Sequence, residues 1–379
     1  MENLQNELET QFKWFHAHPE LSYEEFNTTS KIKELLAQNH IETIDIPLDT
    51  GVVAIIRGAH EGPVIALRSD IDALPIQEQT DLPWKSQTDG KMHACGHDFH
   101  ITALLGTAIL LQQKAKDLHG TIKVLFQPAE ESSLGATTVI KTGVLNDVAA
   151  IFGIHASPRY PVGTIGINDT SLTSSVDRFE ITLKGVGTHG AKPNEGKDPI
   201  VATGALIMAL QTIVSRNLAP LNPGLLSITH VSAGKTWNVI PEESYLEGTV
   251  RTLDKNDREL FASRLKEIAD YTAKAYDVKA NVIWHAGPPA THNDTNWAEF
   301  AKKVARKHNI IVDECPPSML GEDFAFYQET IKGAFMWVGT GLSYPNHHPK
   351  FEVDPKALLP TAQYLSDLGE QALLAVNKQ

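Results

Sequence analysis

Two patterns of hydrophobic residues, helical spacing and short continuous apolar runs, alternate along this chain of 379 residues. Residues 2–17 and 28–38 carry apolar side chains at helical spacing, which predicts two helices. Short apolar runs rich in β-branched residues follow at 51–58, 63–68, 121–126, 148–154 and, late in the chain, 334–338. Nearly continuous runs of this length are typical of strands buried on both faces of a sheet. Helical patterns at 100–118, 296–308 and 355–376 alternate with them, so we predict an α/β domain with a largely parallel sheet.

The order of predicted strands and helices changes past residue 175. Strand patterns lie at 178–184, 225–231, 245–251 and 278–285, and helical patterns lie at 199–216 and 257–276. The order β-α-β-β-α-β is ferredoxin-like. Gly287, Pro288 and Pro289 are typical of a domain boundary. We therefore predict a catalytic domain formed by residues 1–176 and 289–379, with a second domain, 177–288, inserted into it.

Composition and charge exclude several classes of partner. A hydrophobic content of 42% with 21% charged residues describes a soluble globular protein. The net charge of −13 argues against nucleic acid and anionic membrane surfaces. The longest apolar stretch, 199–214, falls short of a membrane span, and the first 18 residues lack the apolar core of a signal peptide. Cys95 and Cys315 make no disulfide framework, so we expect a cytoplasmic protein.

Side chains that bind metals follow the ends of several apolar runs. They are Asp70 and Asp72 after 64–67, Glu130 and Glu131 after 124–126, and His155 after 151–154. Parallel sheets bind ligands at the carboxyl ends of their strands, so we expect these side chains to meet at one edge. The segment HACGHD at 93–98 adds Cys95 and His97 just before a predicted helix, and a histidine pair follows at 347–348.

Thiolate, imidazole and carboxylate ligands together suit a divalent transition metal. In two-metal hydrolases the ions lie about 3.5–4 Å apart, polarise the scissile carbonyl and generate a bound hydroxide. A nearby carboxylate that is not a ligand then serves as general base. Glu130 and Glu131 can divide these tasks only if the chain turns there, because neighbouring strand residues face opposite sides. Pro128 favours such a turn.

Other motifs suggest different chemistry. Residues 185–190 match G-x-G-x-x-G, but no helix opens directly from them, which disfavours a dinucleotide site. Cys95 could instead be a nucleophile with His97 as its base, and such an enzyme would remain active after chelation. A metal-binding protein without catalysis is a third hypothesis, and the presence of Glu130 argues against it.

Seven segments resemble the amidohydrolase branch of the aminoacylase/carboxypeptidase group of dinuclear metallopeptidases. They are HPELS (18–22), LRSDIDALP (67–75), MHACGHD (92–98), FQPAEE (126–131), NVIP (238–241), GTVRT (248–252) and GEDF (321–324). The segment MHACGHD is the most specific of them. The branch includes hippurate hydrolases, auxin-conjugate hydrolases and N-acetyldiaminopimelate deacetylases. The resemblance implies two divalent ions per subunit, and Cys and His ligands permit zinc, manganese, cobalt or nickel.

By position, the resemblance also implies a role for each matching residue. The implied metal ligands are Cys95, His97, Glu131, His155 and His347, with Glu130 as general base and Asp72 as an acid that orients the ligands. The last ligand lies in a segment that departs from the branch, because Asn346 stands where a hydrophobic residue is usual. Its spacing from Pro349 favours His347 over His348.

The inserted domain resembles the lid and dimerisation module of the branch, which implies a homodimer or homotetramer. His189 matches a histidine that reaches the scissile carbonyl, often from the partner subunit. Asn238 and Arg251 match residues that contact the carboxylate end of the substrate, and arginine suits bidentate carboxylate recognition. A buried salt bridge is the alternative interpretation of Arg251.

The expected reaction is hydrolysis of N-acyl, notably N-acetyl, amino acids to a carboxylate and a free amino acid. Metal-bound hydroxide would attack the amide, with Glu130 as base. Deacetylation of N-acetyldiaminopimelate in lysine biosynthesis and dipeptide hydrolysis are the alternatives. The diaminopimelate branch often carries RTDMDG where this chain has RSDIDA at 68–73, which favours a general amidohydrolase.

Overall fold

A computed structural model describes residues 2–376 of the chain. Its helices are α1 (Glu2–Ala17), α2 (Phe26–Gln38), α3 (His97–Gln113), α4 (Gly135–Lys141), α5 (Pro199–Leu210), α6 (Lys255–Ala275), α7 (Thr295–Lys307), α8 (Ala325–Gln328) and α9 (Leu358–Val376). Its strands are β1 (Glu42–Ile44), β2 (Val52–Arg57), β3 (His60–Asp70), β4 (His119–Gln127), β5 (Val148–Ser157), β6 (Thr164–Gly166), β7 (Asp177–Lys184), β8 (Thr188–His189), β9 (Gly224–Ala233), β10 (Val239–Ile240), β11 (Glu243–Thr252), β12 (Lys279–Ala286), β13 (Ile311–Asp313) and β14 (Gly333–Gly339).

The chain divides into two compact units. The first contains residues up to Leu172, then Thr291–Pro316 and the chain from Asp323 onwards. The second contains Thr173–Ala290 together with Pro317–Glu322. The second unit therefore interrupts the first, and it includes a short segment, Pro317–Glu322, that the sequence pattern assigned to the catalytic domain.

An eight-stranded sheet organises the first unit, in the order β1-β2-β4-β3-β5-β14-β6-β13. Strands β4, β3, β5 and β14 run parallel, whereas β1 and β2 form an antiparallel edge. The prediction of a largely parallel α/β sheet is confirmed. In the register of β3 and β4, Asp70 stands opposite Gln127, so the carboxyl ends of these strands finish together.

Helix α3 lies in the centre of the first unit's core, and its apolar side chains point in every direction. Gly106 permits this packing, because a Cβ there would lie 2.9 Å from Leu8 and 3.0 Å from Ala362. Leu8 belongs to α1 and Ala362 to α9, so three helices approach closely at this glycine. This packing anchors α3, whose first turn carries part of the site.

In the second unit β7, α5, β9, β11, α6 and β12 follow the β-α-β-β-α-β order, with an antiparallel sheet in the order β12-β7-β11-β9, and β8 and β10 add a separate two-stranded sheet. Along β7, Phe179, Ile181 and Leu183 are buried against the helices, while Arg178 points away from this core. Asp198 caps α5 by accepting a hydrogen bond from the backbone N–H of Ile200 at 2.8 Å. The alternation along β7 gives this sheet one covered face and one polar face.

Helix α5 is shorter than its sequence pattern indicated. It ends at Leu210 and is followed by a π-helical turn, Ile213–Asn217. Contrary to the expectation from the sequence, the segment Pro199–Asn217 is long and apolar enough, by length and composition alone, to cross a membrane. Core helices share this property, and Leu206 and Leu210 of α5 pack into the second unit's core.

Candidate metal centre

Parallel strands of the first unit deliver three groups of functional side chains to one sheet edge. Asp70 ends β3, Asp72 follows two residues later, and His155 lies near the end of β5. Glu130 and Glu131 follow β4 in a tight helical turn, Glu130–Ser132. The predicted convergence of strand ends is thus present in the register of the sheet.

The segment before α3 supplies Cys95 and His97. The helix begins at His97, three residues earlier than the sequence pattern indicated, so His97 lies within its first turn. Gly96 has a φ of +89°, which favours glycine, and a Cβ there would lie 2.7 Å from the Cβ of Ala156. This close approach brings the segment against β5, where His155 lies.

The ligand-type atoms meet in overlapping groups. Cys95, His97 and His155 place one donor atom each within 4.8 Å of one another, as do Cys95, Glu131 and His347, and as do His97, Glu130 and Glu131. Individual separations include 3.3 Å from Cys95 Sγ to His155 Nε2 and 3.4 Å from His347 Nε2 to Glu131 Oε1. The sharing of Cys95, His97 and Glu131 between groups suits two ions side by side better than one.

Two buried donor atoms of this cluster have no hydrogen-bond partner in the described part of the chain. They are His97 Nε2 and Glu131 Oε1, which lie 3.9 Å apart. A buried polar atom without a partner is costly, so such atoms mark a place where another group binds. Imidazole nitrogen, thiol sulfur and carboxylate oxygen converge here, and that donor set fits divalent transition metals.

Carboxylates behind His97 fix the orientation of its ring. His97 Nδ1 lies 3.2 Å from Asp72 Oδ1 and 3.7 Å from Asp70 Oδ1, which leaves Nε2 directed at the cluster. Burial alone lowers the pKa of His97, but Asp70 and Asp72 outweigh it and raise the pKa to about 10. A carboxylate behind an imidazole is the usual support of a histidine ligand.

A buried polar network extends behind Asp70, and the sequence pattern assigned no role to its members Arg68, His100 and Asp323. Asp70 accepts hydrogen bonds from His100 Nδ1 at 2.5 Å and from Arg68 Nη1 at 2.7 Å. Arg68 also bonds Asp323 at 2.7 Å, and His100 Nε2 accepts the backbone N–H of Ala156 at 2.7 Å. His100 lies three residues after His97, hence on the same face of α3. A helix predicted to begin at His97 would have placed His100 on the same face as His97.

The Cys95 thiol sits in an environment that opposes its ionisation when no cation is present. Burial and then the carboxylates of Glu131 and Glu130 raise the pKa of Cys95 well above its usual range. The helix N-terminus that should favour a thiolate is therefore outweighed. Burial also holds the pKa of the neighbouring His155 well below its usual range. These surroundings suit a metal-bound sulfur better than a free nucleophile.

The turn after β4 separates the directions of Glu130 and Glu131. Ala129 has a φ of +58°, a left-handed conformation that is uncommon for a residue with a side chain. Asp72 Oδ2 accepts the backbone N–H of Glu131 at 2.9 Å, and the backbone N–H of Asp323 contacts Glu130 Oε1 at 3.3 Å. The turn that the sequence predicted at the two glutamates is therefore present, and it begins at Ala129, directly after Pro128.

The histidine pair near the C-terminus separates into two environments. His347 reaches the cluster and has a φ of +67°, while its backbone N–H bonds the carbonyl of Ala94 at 2.8 Å. His348 stacks on Tyr344 at 4.4 Å, and its Nδ1 accepts the backbone N–H of Lys350. This geometry favours His347 as the residue that faces an ion.

Asn346 stands where the resembling branch usually has a hydrophobic residue, and its side-chain amide makes two hydrogen bonds to backbone carbonyls. Its Nδ2 donates to the carbonyl of Cys95 at 3.2 Å and to the carbonyl of Ala156 at 3.4 Å. The same Ala156 carbonyl lies 2.9 Å from His155 Nδ1. A hydrophobic residue could not make these bonds, so Asn346 connects the segments that carry Cys95, His155 and His347.

The candidate substrate residues lie in the second unit. His189 is exposed on β8, which pairs with β10, and Gly190 N–H donates to the carbonyl of Asn238 at 2.8 Å. Arg251 lies on β11, where its Nη1 contacts Thr249 Oγ1 and the carbonyl of Val250. Among the described residues Arg251 forms no ion pair, which removes the buried salt bridge as its explanation. Burial lowers the pKa of Arg251, although Asp177 opposes that effect.

Known proteins resemble this chain over nearly its whole length. An N-acetylcysteine deacetylase and an N-acetyl-L-cysteine deacetylase, both from Bacillus subtilis, are 48% and 46% identical to it. The first alignment covers 93% of each chain, and the second covers 94% of this chain and 86% of the relative. The crystal structure of a Bacillus subtilis protein, a dinuclear metal binding peptidase from the M20 family, matches this chain with a TM-score of 0.90 and 44% sequence identity. The match covers 99% of both chains.

A more distant relative is the N-acetyldiaminopimelate deacetylase of Leuconostoc mesenteroides, which is 35% identical with 97% of each chain covered. The match to the family itself spans residues 66–371, which include the candidate metal centre and the whole second unit. The resemblance noted in the sequence is thereby confirmed, and the chain belongs to peptidase family M20/M25/M40.

Proposed function

We propose that this protein is a metal-dependent amidohydrolase that cleaves N-acyl amino acids to a carboxylic acid and a free amino acid. The observation that carries the proposal is the convergence of five ligand-type side chains on one sheet edge, with Glu130 beside them. The similarity to deacetylases of N-acetylated cysteine supports the substrate class.

The proposed cofactor is a pair of divalent cations. Cys95, His97, Glu131, His155 and His347 would hold it, because their donor atoms form the overlapping groups described above. When bound, such ions would polarise the amide carbonyl and make a water molecule acidic enough to attack it at neutral pH. Zinc, manganese, cobalt and nickel all accept this mixture of sulfur, nitrogen and oxygen ligands.

Glu130 is the proposed general base. Its neighbour Glu131 is directed at His97 and His347, so Glu130 is the carboxylate of the turn that remains for proton transfer. Glu130 would take a proton from the attacking water and deliver it to the leaving nitrogen, which must be protonated before the amide C–N bond breaks. Asp72 supports two of the proposed metal ligands, since it contacts the ring of His97 and the backbone N–H of Glu131.

The second unit is proposed to recognise the substrate. Arg251 would bind the carboxylate of the amino-acid part, which suits a guanidinium that is half-buried and forms no ion pair among the described residues. Asn238 would contact the same end of the substrate. His189 would reach the scissile carbonyl, and its exposed place on a short strand beside Asn238 suits a residue that acts on a ligand or on a second subunit.

The second unit also supports a homodimer or homotetramer. Strand β9 is an edge of its sheet, and its five residues from Thr229 to Ala233 are all exposed. Helix α5 exposes Ile200, Val201 and Met208. An unpaired strand edge with apolar side chains nearby favours pairing with a second copy of the same chain.

A substrate and metal panel tests the proposed function. The protein is stripped with a chelator, and zinc, manganese, cobalt or nickel is added back before assays with N-acetyl-L-cysteine, other N-acetyl amino acids, N-acetyldiaminopimelate and a dipeptide. We expect no turnover without metal and highest kcat/KM on an N-acetyl amino acid. Preference for N-acetyldiaminopimelate or the dipeptide would select one of the alternatives. Full activity after exhaustive chelation would instead favour Cys95 as a nucleophile.

A further inference from the structure

The turn that carries Glu130 and Glu131 depends on an unusual backbone conformation. Ala129 adopts a left-handed φ of +58°, and its carbonyl accepts hydrogen bonds from Ser132 Oγ at 2.8 Å and from the backbone N–H of Gly135 at 3.2 Å. A left-handed residue with a side chain is less stable than an extended one, so neighbouring groups must maintain it. What maintains this turn also determines where both glutamates point.

Two carboxylates from other parts of the first unit bind alternate backbone N–H groups of the turn. Glu25 Oε1 accepts the N–H of Ala129 at 2.8 Å, and Asp72 Oδ2 accepts the N–H of Glu131 at 2.9 Å. The two bonds lie on either side of Glu130. Asp72 already has a place in the proposed site, whereas Glu25 lies far away in sequence, directly before α2.

Glu25 is an improbable residue for its surroundings unless it has a specific task. Its exposed fraction is 0%, and Oε2 is buried without a hydrogen-bond partner among the described residues. Burial raises the pKa of Glu25, and the nearby charge of Asp72 adds to the effect, so that the pKa is about 7. An apolar residue would fill such a place at lower cost, but it could not accept the Ala129 N–H.

We propose that Glu25 is a positioning residue for catalysis, which holds Ala129 in its left-handed conformation and thereby directs Glu130 and Glu131 to their separate tasks. The inference rests on the function proposed for those two glutamates. Glu25 acts through the backbone N–H of Ala129 and need not contact substrate. Its effect should therefore appear in the rate of the chemical step rather than in substrate affinity.

Paired substitutions separate positioning from general stability. Glu25→Gln retains a side-chain oxygen that can accept the Ala129 N–H, whereas Glu25→Ala removes the acceptor. We expect Glu25→Ala to lower kcat roughly tenfold to a hundredfold, the range that a displacement of about 1 Å produces, with KM changed less than about threefold. Glu25→Gln should recover most of the lost kcat.

Glu20→Gln is the matched control, because Glu20 lies in the same segment and bonds the backbone N–H groups of Asn27 and Thr28 but not the turn. This variant should lower Tm and leave kcat unchanged at temperatures well below Tm. Equal loss of kcat in Glu25→Gln and Glu25→Ala, or a kcat within about twofold of wild type in Glu25→Ala, would overturn the inference.

Amide hydrogen exchange gives a measurement that does not depend on turnover. Peptides covering residues 127–134 should exchange faster in Glu25→Ala than in wild type or Glu25→Gln, while peptides from α3 should not change. Unaltered exchange in Glu25→Ala would show that the bond does not hold the turn. A wild-type protein inactive on every substrate of the panel would instead count against the proposed function, and the exchange result would still decide whether Glu25 holds the turn.

Discussion

The candidate residues of the two units differ in how firmly the fold holds them. In the first unit His97, Asp70 and Asp72 are buried, and hydrogen bonds join His97 to Asp72 and His100 to Asp70, across 25 and 30 residues of sequence. In the second unit His189 is exposed and accepts the backbone N–H of Ala191, and among the described residues the side chain of Arg251 bonds only groups of its own strand. One set is fixed by buried hydrogen bonds before any ligand binds, whereas the other is exposed or half-buried and bonded to near neighbours in the sequence.

This difference matches the two kinds of chemistry proposed. A metal centre requires ligands held in nearly fixed positions, because misplaced donors lose affinity and leave buried polar groups unsatisfied. Recognition of a small substrate can use side chains that acquire their partners on binding. We therefore expect substitutions in the first unit to affect metal content and kcat, and substitutions in the second unit to affect KM and substrate preference.

The largest expected effect belongs to Glu130. Glu130→Gln removes the proton acceptor but keeps the size of the side chain, so kcat should fall about 10²–10⁴-fold, the usual cost of losing a general base. The metal content, measured by elemental analysis, should remain that of wild type. Activity near wild type would show that another group is the base.

Cys95→Ala is the contrasting variant within the same unit. It removes a donor shared by two of the candidate ligand groups, so the metal content itself should fall. If Cys95→Ala kept the full metal content and Glu130→Gln lost it, the roles assigned to the sulfur and to the carboxylate would both be wrong.

A substitution of Arg251 tests whether the second unit affects KM and substrate preference. Arg251→Ala should lower kcat/KM for N-acetyl amino acids roughly 10–150-fold, the value of a charge-assisted bond of about 1.5–3 kcal/mol, mainly through KM. The loss should disappear for a substrate whose carboxylate is replaced by an amide. Arg178→Ala is the control on the same sheet, since Arg178 pairs with Glu247 at the surface. Equal losses on both substrates would contradict carboxylate recognition.

The sequence predicted the parts of the site that depend on strand ends and on motif residues. Three buried apolar runs, 63–68, 121–126 and 148–154, place Asp70, Glu131 and His155 at one edge because parallel strands end together. It could not predict His100, because the pattern placed the start of α3 three residues too late. Glu25 could not be found either, since its partner Ala129 is 104 residues away and a backbone N–H leaves no signal in the sequence.

Asn346 yields a smaller effect on the metal centre. Asn346→Leu restores the hydrophobic type usual in the resembling branch but removes the bonds to the carbonyls of Cys95 and Ala156. We expect roughly tenfold weaker retention of metal in a chelator titration, the lower end of the range for residues that support ligands. His348→Ala, which removes a ring stacked on Tyr344, should leave retention unchanged. An unaltered titration for Asn346→Leu would mean that the backbone alone positions these segments.

The smallest effect on turnover is expected from His16, which tests whether buried ion pairs hold the first unit. His16 lies 2.6 Å from Asp98 and 3.1 Å from Glu78. Burial alone lowers the pKa of His16, but these hydrogen bonds raise it to about 10, and nearby His93 is itself held neutral, with burial lowering its pKa to about 4.

Because the pKa of His16 is higher in the folded state than the usual 6.5, the folded protein binds the extra proton between these values. The stability that His16 contributes is fully present below pH 6.5 and is lost as the pH rises through about 10. His16→Gln should therefore lower Tm by roughly 2–10 °C at low pH, and the difference from wild type should shrink towards pH 10. His308→Gln, at a pair with Asp367 whose side chains are 27% and 28% exposed, should show a smaller difference. A gap between wild type and His16→Gln that stays constant from pH 6 to 10 would show that the histidine packs there without its charge.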